Sequence, residues 1–352
     1  MEKPRILAPV SSLKMAELVL DNGADIIYAG IKGWSLRPDI FEVTREEMES
    51  IIDLAKNRKK QIFIAMNCFY QSRELPDAME LIKKYAKRGV SGVIVSEIGL
   101  IRAVRRELPD LPVHVSVQIS ASNSYEIEYY KSQGVKAVVL PRDMIDLSLE
   151  NIRAMAGKGL ELEVFAVGDD TSNYDGRCQL SAYLFQQVVP DNGTGRKDMI
   201  IGNANRCGYC FLACKRKCRI GDKTGYLLKR GDLNIYNMVP DLVEAGVSIF
   251  KIQGREFPIK LVGKLMRTFR GLLDNRNNPL KFKAYVRTMD DLIGLKQVIS
   301  ANHLWLLAKS NSPFWKKIRR QIEEPWDNLT SFFWLNIPGM KHILKKIAGI
   351  TG

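Results

Sequence analysis

Histidine is almost absent from this chain: three residues in 352, His114, His303 and His342. None stands in an H-E-x-x-H motif, so a zinc site built from two ligands one helical turn apart is excluded. No G-x-S-x-G elbow occurs, which removes the α/β-hydrolase route to an activated serine. Nor does a G-x-G-x-x-G follow the first apolar run, and a dinucleotide-binding sheet loses its best support. Long hydrophobic runs are missing too: no stretch of 18 apolar residues exists, and a membrane-spanning helix is not expected. The opening MEKPRILAPV carries no apolar core ahead of a cleavage site, so the expected address is cytoplasmic. Reducing conditions there disfavour disulfides.

Cysteine is also scarce, yet five of the six, Cys178, Cys207, Cys210, Cys214 and Cys218, fall in one stretch. The last four read C-x2-C-x3-C-x3-C within RCGYCFLACKRKCR. Soft thiolates this close together bind zinc or an iron-sulfur cluster, because one short segment can aim several sulfurs at one centre. Spacing alone favours neither metal. On a helix, Cys210, Cys214 and Cys218 share one face at i, i+4, i+8; in a loop, Cys207 joins Cys210 through the C-x2-C turn. The isolated Cys68 reads as a small buried core residue.

Charge is uneven. The net charge is +14, which favours RNA or an anionic membrane surface as partner. From residue 281 onward twelve Lys and Arg face five acids, and four of the five tryptophans, Trp305, Trp315, Trp326 and Trp334, lie there. This shift sets an expected boundary near residue 280, between a main body (1–280) and a basic, Trp-rich C-terminal extension (281–352). Pro313, Pro325 and Pro338 cut the extension into short pieces. It suits packing on the main body, peripheral contact with the inner membrane surface, or RNA contact.

The main body repeats a strand and a helix. Short β-branched runs recur: RILAPV, DIIYAG, QIFIAMN, GVIVSE, VHVSVQ, AVVLP, LEVFAV and SIFKIQG. Helical patterns such as SLKMAELVLDNG and MELIKKYAKRG lie between them and stop at Gly23 and Gly89. Eight apolar strands alternating with helices predict a (β/α)8 TIM-like barrel. In such barrels the active site is built at the C-terminal strand ends. These ends carry Tyr28, Asn67, Glu97, Ser116, Gln118, Arg142, Asp169, Gln253 and Arg255. From them Asn67, Glu97, Gln118, Arg142 and Arg255 are the candidate catalytic residues. The two arginines bring cations suited to a carboxylate or phosphate, whereas His114 is expected to be a satisfied rim histidine. One interval is oversized: residues 168–247, between strands seven and eight, hold all five clustered cysteines. The thiolates are thus expected beside the pocket.

Several runs together carry a resemblance: LAPVSSLKMAELVLDNGADIIYAG, SEIGL, SVQIS, LPRD, EVFAVG, YDGRCQLSAY, NRCGYCFLACK and AGVSIFKIQGREF. In order, from about residue 5 to 275, they resemble peptidase family U32. That resemblance implies oxygen-independent hydroxylases of ribosomal RNA, of a tRNA wobble uridine or of ubiquinone precursors, the peptidase label being historical for many members. It implies a 4Fe-4S cluster, with zinc the alternative, and a prephenate-like hydroxyl donor for the RNA enzymes. A second U32-type subunit is an implied partner. By the motifs G-R-C-x-L-S and N-R-G-x-C-x-x-x-C-R, Cys178, Cys210 and Cys214 are implied ligands, and Cys207 or Cys218 completes four. Thr171 and Asn234 stand where two common family cysteines fall. Val167-Gly168 replaces the family's H-G, and Gln253 replaces the glutamate of K-I-E-G-R. Either Glu97, Asp169 or Asp170 takes over proton transfer, or this member does different chemistry. The resulting expectation is an iron-sulfur-dependent hydroxylase of RNA or a quinone or aromatic precursor; a peptidase and a non-catalytic iron-sulfur scaffold are the alternatives.

Overall fold

A computed structural model of the chain describes residues 3–37, 41–142, 148–169, 175–177, 187–189, 199–201, 217–220, 222–226 and 232–310. All eight expected strands form: β1 (Arg5–Val10), β2 (Ile26–Ala29), β3 (Gln61–Met66), β4 (Gly92–Val95), β5 (Val113–Val115), β6 (Ala137–Val139), β7 (Glu161–Asp169) and β8 (Val247–Ile252). Each pairs in parallel with the next, and β8 pairs with both β7 and β1, which closes the barrel. Around it run α1 (Leu13–Asp21), α2 (Arg45–Asn57), α3 (Leu75–Arg88), α4 (Ile98–Glu107), α5 (Ser124–Ser132), α6 (Leu149–Ala156), α7 (Val239–Glu244), α8 (Ile259–Asp274) and α9 (Pro279–Ser310).

Period-two alternation sorts the apolar side chains onto two faces. Ile6, Ala8, Ile27, Ile62, Ile64, Val93 and Val95 join the large cluster between strands and helices. Leu7, Ile26, Tyr28, Phe63, Ala65, Ile94, Ala137 and Ile249 form a second cluster, the lining of the lumen. Helix ends follow local chemistry. Thr44 and Glu47 close a reciprocal capping box on α2. α3 stops at Gly89, whose left-handed φ of 99° a side chain rarely tolerates.

Two features prepare the site. β7 is the longest strand, and its last residues pair antiparallel with Asp232–Asn234, Asp169 opposite Asp232. The chain therefore leaves and re-enters the barrel at one point, and the segment bearing the clustered cysteines begins and ends at the mouth. The second is α9. It starts near the charge boundary but packs onto α8, burying Met289, Leu292, Ile293 and Lys296. The Tyr285 ring lies where a side chain on Gly271 would stand. The shift near residue 280 is thus a change of charge, not of packing. Residues 311–352, with Trp315, Trp326 and Trp334, lie outside the described residues. Among the described residues no helix is long and apolar enough to cross a membrane.

Candidate active site at the barrel mouth

The lumen is not purely apolar. Glu163 on β7 and Lys251 on β8 take inward positions within runs that are otherwise apolar, and His114 does so on β5. Lys251 Nζ donates to Glu163 Oε1 at 2.8 Å, and His114 Nδ1 lies 3.0 Å from Glu163 Oε2. All three side chains are buried. Burial alone would raise the Glu163 carboxyl, but the Lys251 ammonium and the His114 hydrogen bond outweigh it and hold it at about 2. Burial also pushes the Lys251 amine below its ordinary value, with Glu163 opposing. The Lys251 ammonium stands 4.6 Å from the Tyr28 ring centre and 5.2 Å from that of Phe165. Tyr28 donates to the Ile252 carbonyl, and burial drives its phenol far above the ordinary range.

Above this floor the rim is a set of paired charges. At the β7–β8 side, Gln253 Nε2 donates to Asp169 Oδ2 at 2.7 Å and to Glu256 Oε1 at 2.8 Å. A glutamate at 253 would instead set three carboxylates together, so the amide suits this rim. Lys296, fully buried on α9, donates to the Gly168 carbonyl at 2.6 Å and to Asp169 Oδ1 at 3.1 Å. Arg142 clamps Asp175 through its backbone N–H, Nε and Nη2, and its Nη1 donates to the Asp169 carbonyl and Gln253 Oε1. Opposite, Arg255 Nη1 donates to Glu42 Oε1 at 2.7 Å and to Ser35 Oγ at 3.1 Å. Gly30 makes this cradle fit: a Cβ there would stand 1.8 Å from Glu42 Oε2.

Several expectations change on this geometry. Arg142 and Arg255 do reach the mouth, but they are engaged by Asp175 and Glu42 rather than facing an incoming anion. Glu97 is the N-cap of α4, its oxygens accepting from Gly99 N at 2.9 Å and Leu100 N at 2.6 Å, so it is spent on the helix end. Asn67 accepts from the Leu36 N–H and organises the loop after β2. Gln118 is buried in a short 3-10 turn, its carbonyl against Gly176. His114 is a lumen residue, not a rim one. Cys68 is buried, as expected.

Cys178, Cys207, Cys210 and Cys214, and also Asp170 and Thr171, lie outside the described residues. Cys218 lies in the strand Lys217–Ile220, opposite Gly225, so one helical face does not carry through to it. Arg177, the residue before Cys178, follows Asp175, which Arg142 pins, and Gly176, which abuts Gln118. Soft donors on a segment tied to the mouth at both ends fit a thiolate-held cluster or zinc. Sequence reasoning missed Glu163, Lys251, Lys296, Glu42, Glu256 and Asp175. For Glu163 and Lys251 a signal existed: an ionisable residue inside an apolar strand run.

The fold and this charged lumen define a (β/α)8 barrel of the kind that places its chemistry at the strand C-termini. Residues 11–306 match the model of Peptidase family U32, and the chain belongs to that family. It is 26% identical over 286 residues to the tRNA hydroxylation protein P1 of Bacillus subtilis, covering 78% of this chain and 64% of that one. An uncharacterized protease of Methanocaldococcus jannaschii is 30% identical over 284 residues, with 77% and 65% covered. The 23S rRNA 5-hydroxycytidine C2501 synthase of Escherichia coli is 26% identical over 277 residues, covering 76% of this chain and 39% of that one. The chain therefore spans just under two-thirds of the first two relatives and about two-fifths of the third.

Proposed function

We infer that this chain is the barrel module of a U32-type hydroxylase that modifies a base in RNA. Four of Cys178, Cys207, Cys210, Cys214 and Cys218 hold a 4Fe-4S cluster beside the mouth. When bound, such a cluster supplies electron transfer or activation of an oxygenated donor. The chain's own residues position and exclude: the paired rim charges fix the mouth's shape, and the buried Lys251–Glu163–His114 group holds protons beneath it. The observation that carries the reading is the return of the thiol-bearing segment to β7, directly above this group. The names of the Bacillus and Escherichia relatives support RNA as the substrate, and the net positive charge is consistent with it. A peptidase needs an activated nucleophile. Cys68 is buried, and His114 is committed to Glu163.

Anaerobic purification followed by iron and sulfide analysis, with nucleoside profiling of RNA from a deletion strain, tests this. We expect four irons per chain and loss of one hydroxylated nucleoside, restored by wild type but not by Cys178→Ser. A colourless protein with stoichiometric zinc overturns the cluster. Unchanged RNA with an altered quinone intermediate overturns the RNA substrate, and unaltered metabolites with a copurifying partner enzyme indicate a scaffold.

A further inference from the structure

The outer helices of the barrel meet in seams, and the two seams of α3 differ. Towards α2 the seam is closed: Glu49 lies 2.7 Å from Lys84 Nζ, Asp53 pairs with Arg88, and the Tyr85 hydroxyl donates to the Arg45 carbonyl at 3.3 Å. Towards α4 it stands open as a groove of about 910 Å³, too large for an ion or a few waters. The groove has apolar side chains along it, Leu75 and Met79 of α3 and Ala103 of α4. Gly99, one turn earlier on α4, leaves it unfilled: the nearest neighbours of a Cβ there would be the Glu97 carboxylate and not α3.

Charge marks the rest of the lining. Four cations, Lys83, Arg102, Arg105 and Arg106, stand there against two acids, Glu80 and Glu107. Lys83 and Arg106 share Glu107, at 2.6 and 2.7 Å. Arg105 is held by the carbonyls of Leu111, at 2.9 Å, and of Pro109, which fix its direction without cancelling its charge. Arg102 is exposed and makes no hydrogen bond or ion pair among the described residues. The surplus is cationic, and its complement is an anionic partner.

Apolar side chains among cations select between anions. A single nucleic-acid strand offers phosphates to the cations but stacks its bases on aromatic faces, and among the described residues no aromatic side chain lines the groove. A second copy of this chain brings a net charge of +14 toward the same cations. A helix whose carboxylates flank an apolar stripe satisfies both parts. From Leu75 to Lys83 on α3, and from Gly99 to Glu107 on α4, the groove runs about 12 Å, a little over two helical turns. The fold holds a precedent in α2, which buries Met48, Ile51, Ile52 and Ala55 while Glu49 and Asp53, one turn apart, reach the cations on the other flank of α3. We propose that the α3–α4 groove is a docking site for an acidic amphipathic helix of a partner protein. Its apolar stripe meets Leu75, Met79 and Ala103, and its carboxylates meet Arg102 and Arg105, the helix-in-groove mode of recognition. This surface lies on the barrel wall and does not depend on the reaction inferred above.

The test uses the full chain and a stapled helical peptide of about four turns, with leucines in one stripe and glutamates on either side. Its controls are a peptide of the same composition with the leucines scattered, a peptide with lysines in place of the glutamates, and a single-stranded RNA of matched charge. By fluorescence anisotropy the acidic amphipathic peptide should bind roughly tenfold or more tighter than either control peptide. Arg102→Glu and Ala103→Phe should each remove most of that advantage, the first by repulsion and the second by filling the groove. Arg102→Glu should leave the melting midpoint unchanged, and either variant that keeps its fold decides. Arg153→Glu on α6 changes the net charge equally and should leave binding as it was. Equal binding of the scattered-leucine peptide, binding indifferent to both groove variants, or no peptide binding overturns the proposal. RNA that displaces the peptide and loses affinity in Arg102→Glu makes nucleic acid the occupant instead. A dimer of the chain in sedimentation, dissociated by Arg102→Glu, makes it a second copy.

Discussion

The outer shell of the barrel and its lumen are built from the same eight strands, yet they follow opposite rules. Between strands and helices the shell is a continuous aliphatic packing in which Val, Ile, Leu and Met alternate outward. The lumen accepts a glutamate, a lysine and a histidine, all nearly inaccessible. Shell packing stabilises by burial, about 1.5–3 kcal/mol for each large apolar side chain. A buried ion pair does not: desolvation takes back much of the attraction, and apolar replacements of similar volume are often neutral or better. The lumen thus keeps charges where hydrocarbon would hold the fold as well, in line with the role proposed for them above.

The contrast can be broken most forcefully at Glu163. Glu163→Leu strands the Lys251 ammonium in the lumen and should lower stability by about 3–5 kcal/mol, measured by urea unfolding. Phe269→Ala on α8, in the shell, should cost a similar amount through the cavity it opens, about 3–5 kcal/mol. The pair separates when a second change is added. Glu163→Leu with Lys251→Met should regain most of the loss while the proposed RNA modification is abolished, whereas no second truncation rescues Phe269→Ala. If the double lumen variant remains as unstable as Glu163→Leu, the charges serve the fold after all.

Acid sharpens the same distinction. Glu163 releases its proton more readily folded, at about 2, than at its ordinary 4.5. Its contribution is therefore full above about pH 4.5 and fades as pH falls toward 2. Acid unfolding followed by circular dichroism should be less steep in Glu163→Gln than in wild type over that window. The smallest expected effect lies in the shell's helix caps: Thr44→Ala should cost about 1 kcal/mol in urea unfolding by removing the α2 capping box, leaving the lumen charges untouched.

The same division governs what the sequence reveals. The eight strands were legible because each is a short β-branched run, and two of the intervening helical patterns end at a glycine in sequence. Partnership was not. Lys251 meets Glu163 across 88 residues, Lys296 meets Asp169 across 127 and Arg255 meets Glu42 across 213. No local spacing encodes such pairs. Arg142 and Arg255 were therefore visible as mouth residues but not as engaged ones. Lys296 was read as part of a basic extension, because composition registers a charge and not the helix that carries it inward. Glu97, a catalytic candidate by its strand-end position, is instead a cap, for which a carboxylate immediately before a helical pattern was the overlooked signal. The thiol segment stands between the two classes: its spacing suggests a metal site without choosing the metal, and its ligand set stays open.

The antiparallel pairing of Asp232–Asn234 with the end of β7 bears on how such a protein diversifies. To the barrel, everything from residue 170 to 231 is the turn of a hairpin, and the entropy of closing a turn grows only slowly with its length. That stretch can lengthen, shorten or exchange its cysteines while the strands on either side keep their register. The chassis and its chemistry can drift at different rates.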